Sequence, residues 1–255
     1  MIIKPFSIYS HGNTLRGVII KPAHAQFPCK TAIISHGFAS NMAITSPYAK
    51  TLVQAGYVAV LYDFCMSGSG VSSGNSTGMS VLTEKANLND LLYYVRRLPF
   101  VDENHIVLAG CSQGGLVSAL CAADCNKWVK ALLLYYPALC IPDDARRGHM
   151  ITARFDPANI PETFYAIFVK LGRKYADDAA SLDPYKEICA FDKPVLIVHG
   201  LEDTLVSISY SRKAADQYEN CKLVEVHGDH GFIRKGFQAC KKATLDFLTE
   251  NHFIG

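Results

Sequence analysis

No apolar stretch in this chain approaches the ~20 residues needed to cross a bilayer as a helix. The longest runs, such as Val129 to Pro137 and Pro194 to Val198, are the size of a strand. A signal-peptide core is missing as well, because Lys4 and Pro5 interrupt the one apolar run between Met1 and Ser10. The expectation is a cytoplasmic protein with no membrane partner. Charge of one sign is also scarce. Formal net charge is only +2 and the basic residues are scattered, so the electrostatic footprint of a nucleic-acid binder is absent. Nine cysteines are present, but the number is odd and no CxxC occurs, which indicates neither a disulfide framework nor a zinc knuckle. The partner that remains is a small, weakly charged molecule; the sequence leaves a homodimer open.

What the chain does have is core. With 255 residues, 49% of them hydrophobic, it suits one α/β domain spanning 1–255. Apolar, β-branched runs alternate with segments of helical period, the pattern of a mainly parallel sheet covered on both faces. The predicted strands are Phe6–Tyr9, Leu15–Lys21, Thr31–Ser35, Val58–Asp63, Ile106–Ala109, Ala131–Tyr135, Val195–His199 and Lys222–Val226. The first two flank His11-Gly12-Asn13 and read as a hairpin, giving an antiparallel edge. The predicted helices are Ser46–Ala55, Val81–Leu98, Gln113–Cys125, Ile208–Gln217 and Gly236–Asn251. In the second, Leu88, Leu91, Leu92 and Val95 form a core stripe and Pro99 ends it. Ser67 to Ser80, rich in serine and glycine, reads as a loop. Residues 138–186 break the alternation with four prolines and a run of aromatics, and read as an insertion over the carboxyl edge of the sheet.

Gly110-Cys111-Ser112-Gln113-Gly114 matches G-x-S-x-G, the strand-to-helix turn that lifts a serine hydroxyl above a sheet. Three fixed positions arise by chance in roughly one chain of this length in ten, so context decides. Here the pentapeptide follows Ile106-Val107-Leu108-Ala109 and opens a helix, as the motif requires. Cys111 is the rival nucleophile, disfavoured because the glycines centre on Ser112. A serine hydroxyl needs an imidazole to take its proton and a carboxylate to orient the imidazole. Asp203 lies just past a predicted strand, with Glu202 as competitor; His230 lies in the loop before the last helix, with His227 as competitor. The two histidines could also be read as metal ligands, but no third ligand is suitably spaced and there is no HExxH, so no metal and no cofactor are expected. For the oxyanion, the expected donors are the amides of Gln113, which follows the nucleophile, and Phe38, in the turn Ser35-His36-Gly37-Phe38. Phe38 has a second reading, as a pocket wall.

Taken together, Ile34-Ser35-His36-Gly37-Phe38, Tyr62-Asp63-Phe64, Gly110 to Gly115, His199-Gly200-Leu201-Glu202-Asp203-Thr204-Leu205-Val206 and Gly228-Asp229-His230-Gly231-Phe232 resemble the esterases of the α/β-hydrolase fold. The similarity runs nearly end to end. Phe155 to Pro161 and Leu171-Gly172-Arg173-Lys174-Tyr175 look like the inserted subdomain of bacterial cinnamoyl (feruloyl) esterases, which release hydroxycinnamic acids from their esters. In that family a carboxylate and a tyrosine of the insertion bind the ring hydroxyl of the phenol, and the matching positions are Asp144, with Asp143 as alternative, and Tyr175, otherwise a surface or core aromatic. Two departures stand out: Met66 and Ser67 replace a glycine and histidine beside the site, and Ile151 replaces a glutamine that helps hold the phenol. The resemblance implies acyl transfer through Ser112 onto water. Its rivals are a monoacylglycerol-type lipase, expected to have a longer apolar lid, a general short-chain carboxylesterase, an acyl-aminoacyl peptidase, which normally adds a propeller domain, and an inactive binding module, which would not need a complete triad.

Overall fold

The computed structural model describes residues 2–23 and 26–254. In chain order it contains β1 (Ile2–Ser10), β2 (Asn13–Lys21), β3 (Cys29–Ser35), α1 (Ser46–Gln54), β4 (Val58–Asp63), α2 (Val81–Val95), β5 (Val101–Cys111), α3 (Gln113–Asp124) and β6 (Ala131–Tyr135). Then follow α4 (Ile141–Arg146), the hairpin β7 (His149–Met150) and β8 (Ala153–Arg154), the hairpin β9 (Thr163–Ala166) and β10 (Val169–Gly172), α5 (Arg173–Ser181) and α6 (Pro184–Ile188). The chain finishes with β11 (Val195–Gly200), α7 (Ile208–Gln217), β12 (Cys221–Val226) and α8 (Phe237–Glu250).

The eight strands read from the sequence form one sheet in the order β1-β2-β4-β3-β5-β6-β11-β12. The β1–β2 hairpin supplies the expected antiparallel edge, and from β4 to β12 every pairing is parallel. Alternate residues of the central strands feed two cores, because both faces of a parallel sheet are covered. Ile33, Val60, Leu108, Leu132 and Ile197 pack toward α2, α3 and the segment between β6 and β11. Their neighbours Ile34, Leu61, Ala109, Leu133 and Val198 pack toward α1 and α8.

The stripe of α2 is buried as its period required, Leu88, Leu91, Leu92 and Val95 all being inaccessible to solvent. Ser80 caps it: its hydroxyl accepts from the Thr83 amide while the Thr83 hydroxyl accepts from the Ser80 amide. The helix stops at Val95, three residues short of the expected Leu98, and the chain winds through tighter turns, Leu98 N–H donating to Val95 C=O at 3.0 Å. Strand β5 is longer than predicted. Its first half, Asp102 to His105, is polar and largely exposed, so apolar patterning could not reveal it.

Truncating Leu88, fully buried on this stripe, to alanine is expected to cost about 2–5 kcal/mol of folding free energy, read as a shift in urea midpoint at constant m-value.

Candidate active site

Ser112 sits where β5 becomes α3, with φ 53° and ψ −120°, a left-handed backbone that a serine adopts only when its surroundings enforce it. The Ser112 amide donates to the carbonyl of Tyr135 on β6 at 3.0 Å. The flanking glycines allow the turn to close: a Cβ on Gly110 would lie 2.1 Å from the Gly114 carbonyl oxygen, and one on Gly114 would lie 2.3 Å from that of His36. Neither position can hold a side chain.

The chosen acid and base converge on this serine. His230 Nε2 is 3.1 Å from Ser112 Oγ, and His230 Nδ1 is 2.7 Å from Asp203 Oδ2. The ring of Tyr136 meets that of His230 edge-on, with centroids 4.7 Å apart. Burial alone would raise the Asp203 carboxyl, but hydrogen bonds from His199, His230 and the Val206 amide outweigh it and hold the group below the ordinary carboxylate range. The rejected alternatives pair with each other: Glu202 accepts from His227 Nδ1 at 3.2 Å, from Lys235 Nζ at 2.8 Å and from the Gly228 amide at 2.6 Å. Lys235 chiefly holds Glu202 down at about 2. Cys111 is buried, and its thiol is pushed up to about 12 by loss of solvent, which leaves essentially no thiolate near neutral pH.

The proposed oxyanion donors flank the same serine. Gln113 is the first residue of α3, so its N–H has no acceptor within the helix. Gly37 packs directly against the nucleophile, since a Cβ there would be 3.1 Å from Ser112 Cβ. The peptide unit joining Gly37 to Phe38 is oriented by the buried ring of His36: Nδ1 lies 2.8 Å from the Gly37 carbonyl oxygen, and Nε2 accepts from the Phe64 amide at 3.1 Å. Those contacts fix the tautomer, Nδ1 carrying the proton, and turn the Phe38 N–H to the side opposite the Gly37 carbonyl. Burial lowers the His36 pKa, favouring this neutral form.

Asp144 and Tyr175 are brought near one another, on α4 and α5. Asp144 is half-buried and next to the Cys140 thiol; burial raises its pKa. Asp143, the alternative, is committed to Arg146 at 3.1 Å and to the Tyr210 hydroxyl at 3.1 Å. Tyr175 is almost wholly buried, with its ring edge-on to Phe38 at 5.9 Å. Its hydroxyl donates to Gln113 Oε1, so its proton is committed within the protein and is not free for a ligand.

Three residues of the site escaped sequence reasoning. His199, fully buried at the end of β11, places Nε2 3.2 Å from Asp203 Oδ2 while Ser211 Oγ lies 2.6 Å from its Nδ1. Asp63 accepts from the amides of Met42 and Val71, both at 2.7 Å, and so ties the loop after β3 to the serine-rich loop. Glu84 lies on the buried stripe of α2 one turn before Leu88. A charged or imidazole side chain on an otherwise apolar run was the available signal for His199 and Glu84. Among the described residues, no three His, Cys, Asp or Glu side chains are grouped so as to hold a metal ion, and no helix is long and apolar enough to cross a membrane.

Residues 26–165, more than half of the chain, match the family model described as serine aminopeptidase, S33. The chain belongs to that family. It is a serine hydrolase of the α/β-hydrolase fold, and its structural neighbours place it among carboxylic ester hydrolases. The ferulic acid complex of Est1E from Butyrivibrio proteoclasticus superposes with a TM-score of 0.90 at 31% identity, over 96% of this chain and 98% of that one. The resemblance to feruloyl esterases read from the sequence therefore holds at the level of the whole fold. The Pyrococcus furiosus esterase Pf2001, 18% identical with a TM-score of 0.73 over 98% of this chain and 92% of that one, shares the fold. The uncharacterized protein YqkD of Bacillus subtilis (strain 168) is 24% identical over 247 residues, 94% of this chain and 76% of that protein.

Replacing Asp203 by asparagine is expected to lower kcat by about 10⁴-fold, whereas Glu202→Gln leaves it within a few-fold, both read on p-nitrophenyl butyrate. Because folding depresses the Asp203 pKa from its ordinary 3.8, its contribution to stability is present above pH about 4 and is lost as the pH falls below that value. Asp203→Asn should accordingly flatten the acid limb of a Tm-against-pH curve.

Proposed function

We propose that this protein hydrolyses esters of hydroxycinnamic acids, of the ferulate and caffeate kind, through an acyl-enzyme on Ser112. Ser112 Oγ attacks the ester carbonyl as His230 Nε2 takes its proton, and Asp203 keeps the imidazole in the tautomer that accepts there. The amides of Phe38 and Gln113 donate to the oxyanion of the tetrahedral intermediate. Collapse expels the alcohol, which receives the proton from His230. Water, deprotonated by the same imidazole, then attacks the acyl-enzyme and releases the acid. Side chains and water suffice for every step, and the partner is a small-molecule ester.

The observation that carries the acyl preference is the likeness, at a TM-score of 0.90, to an esterase whose structure holds ferulic acid. Asp144 adds support: it is half-buried near Tyr175 with its pKa raised by burial, and a phenol hydroxyl is a suitable partner for such a carboxyl. A second reading, a carboxylesterase for short acyl chains, is favoured by the engaged hydroxyl of Tyr175 and by Ile151 in place of a polar side chain.

The discriminating assay compares methyl ferulate, methyl caffeate, p-nitrophenyl butyrate and a monoacylglycerol, with Ser112→Ala as control. A kcat/KM for the hydroxycinnamates at least about tenfold above that for butyrate, lost in Ser112→Ala and reduced in Asp144→Ala, is the expected result; one hydrogen bond to the phenol is worth about that factor. Activity confined to butyrate or the glyceride would leave the triad standing and remove the phenol assignment.

A further inference from the structure

Glu84 is only 2% exposed, yet the acyl-transfer scheme gives it no part. A carboxyl so placed needs a hydrogen-bond partner, and it has a specific one. Its Oε2 accepts from Gln113 Nε2 at 2.7 Å, while Gln113 Oε1 accepts from the Tyr175 hydroxyl. A single side-chain amide thus joins α2 of the hydrolase core to α5 of the segment between β6 and β11, and the backbone of that same residue carries an oxyanion donor. Gln113 is itself 1% exposed and Tyr175 1% exposed, so water does not offer a ready substitute for any link.

We propose that Glu84 is a positioning residue that acts through Gln113, holding the amide at residue 113 and the Tyr175 wall of the acyl site as one unit. The inference rests on the reading of the Gln113 N–H as an oxyanion donor. Tyr175 also packs edge-on to Phe38, the residue of the second donor, so both sides of the oxyanion site touch the same aromatic wall. The other attachments of α5 and of β10 before it point the same way: Ser80 at the start of α2 donates to Asp178 on α5, and Ser76 donates to the Lys170 carbonyl on β10 at 2.6 Å. This part of the insertion is therefore a fixed wall, bonded to α2, to the turn that precedes it and, through Gln113, to the first residue of α3.

Burial raises the Glu84 pKa to about 8, against a smaller opposing effect of the Gln113 hydrogen bond. The titratable groups that feel its charge are the phenols of Tyr62 on β4 and Tyr175 on α5, both shifted well above their ordinary value by burial. Below about pH 8 the carboxyl is protonated and still accepts from Gln113 Nε2 through its carbonyl oxygen. Glu84→Gln is then a permanent copy of the protonated acid. For an acid whose folded pKa lies above its unfolded value, stability is lost as the pH rises from about 4.5 to about 8, so the wild type should lose Tm across that range more steeply than Glu84→Gln.

The test measures kcat and KM on p-nitrophenyl butyrate and methyl ferulate from pH 6 to 9.5, for the wild type, Glu84→Gln, Glu84→Leu, Tyr175→Phe and the double variant Glu84→Leu/Tyr175→Phe. Glu84→Leu should lower kcat about tenfold or more on butyrate with KM nearly unchanged, since a displaced oxyanion donor acts on the transition state. On ferulate it should also shift KM. Glu84→Gln should retain wild-type kcat within about threefold at pH 7 and lack the wild-type change near pH 8. Tyr175→Phe should cost clearly less in the Glu84→Leu background than in the wild type, because contacting residues in one network are not additive. Wild-type kcat in folded Glu84→Leu, or strict additivity of the pair, overturns the proposal. If Glu84→Leu does not fold, identical pH profiles and identical Tm slopes in the wild type and Glu84→Gln overturn it instead. Turnover that survives Ser112→Ala overturns the functional reading itself, whereas Ser112-dependent turnover indifferent to Glu84 overturns only the role of Glu84.

Discussion

The backbone of Ser112 at φ 53° is the constraint around which the rest of the site is arranged. Such a conformation costs of order 1–3 kcal/mol, and it persists because β5, β6 and α3 hold it on all sides. Tyr135 takes the serine amide, while the Ser112 carbonyl accepts from Gly115 and Ala138. Once the turn is closed, the loops after β3, β11 and β12 bring Gly37, Asp203 and His230 up to it. Each loop is then pinned: by the polar contacts of His36 and Asp63 for the first, by those of His199 for the second, and by ring packing of Tyr136 on His230 for the third. Preorganised donors and a fixed imidazole cost no rearrangement when charge develops, which is what makes such a site effective.

The left-handed geometry recurs close by. Tyr136 has φ 39° and Phe232 has φ 53°, and their rings pack together with centroids 5.1 Å apart while Tyr136 also meets His230. Local strain next to the base is thus carried by large aromatic residues whose packing over-determines the loop. Around the acid, two imidazoles and two backbone amides converge on one carboxylate. That arrangement keeps Asp203 ionised and leaves His230 a single orientation.

How much of this was legible in the sequence depends on the range of the interaction concerned. Ser112 and Asp203 could be read because each follows a strand with an unbroken apolar run, whereas β12, before His230, carries Lys222 and Glu225 and leaves that residue to chain order and the motif. His230 is preferred over His227 in the sequence because it lies further from the strand end, in the loop before the last helix, while Glu202 stays a competitor to Asp203; the structure has Glu202 and His227 bonded to each other. The hairpins β7–β8 and β9–β10, with strands of two to four residues, were not legible because elements so short carry no periodicity. The polar first half of β5 was missed for a related reason: Asp102 to His105 lie in a break of register between the pairs Cys29–Val101 and Thr31–Ile106 and carry no apolar pattern. Glu84 was visible as the one carboxylate on the Leu88 stripe, but its partner Gln113 is 29 residues away, and Tyr175, which bonds Gln113, is a further 62 residues on, so only the folded chain brings them together.

Covalent labelling tests the central claim most directly, because it reads the activated nucleophile without a choice of substrate. Treated with a fluorophosphonate and mapped by peptide mass spectrometry, the protein should carry one adduct, on Ser112, formed quickly in the wild type and at least about a hundredfold more slowly in His230→Ala, where the base that activates the hydroxyl is gone. An adduct on Cys111 or another side chain, or none at all in folded protein, would contradict the account.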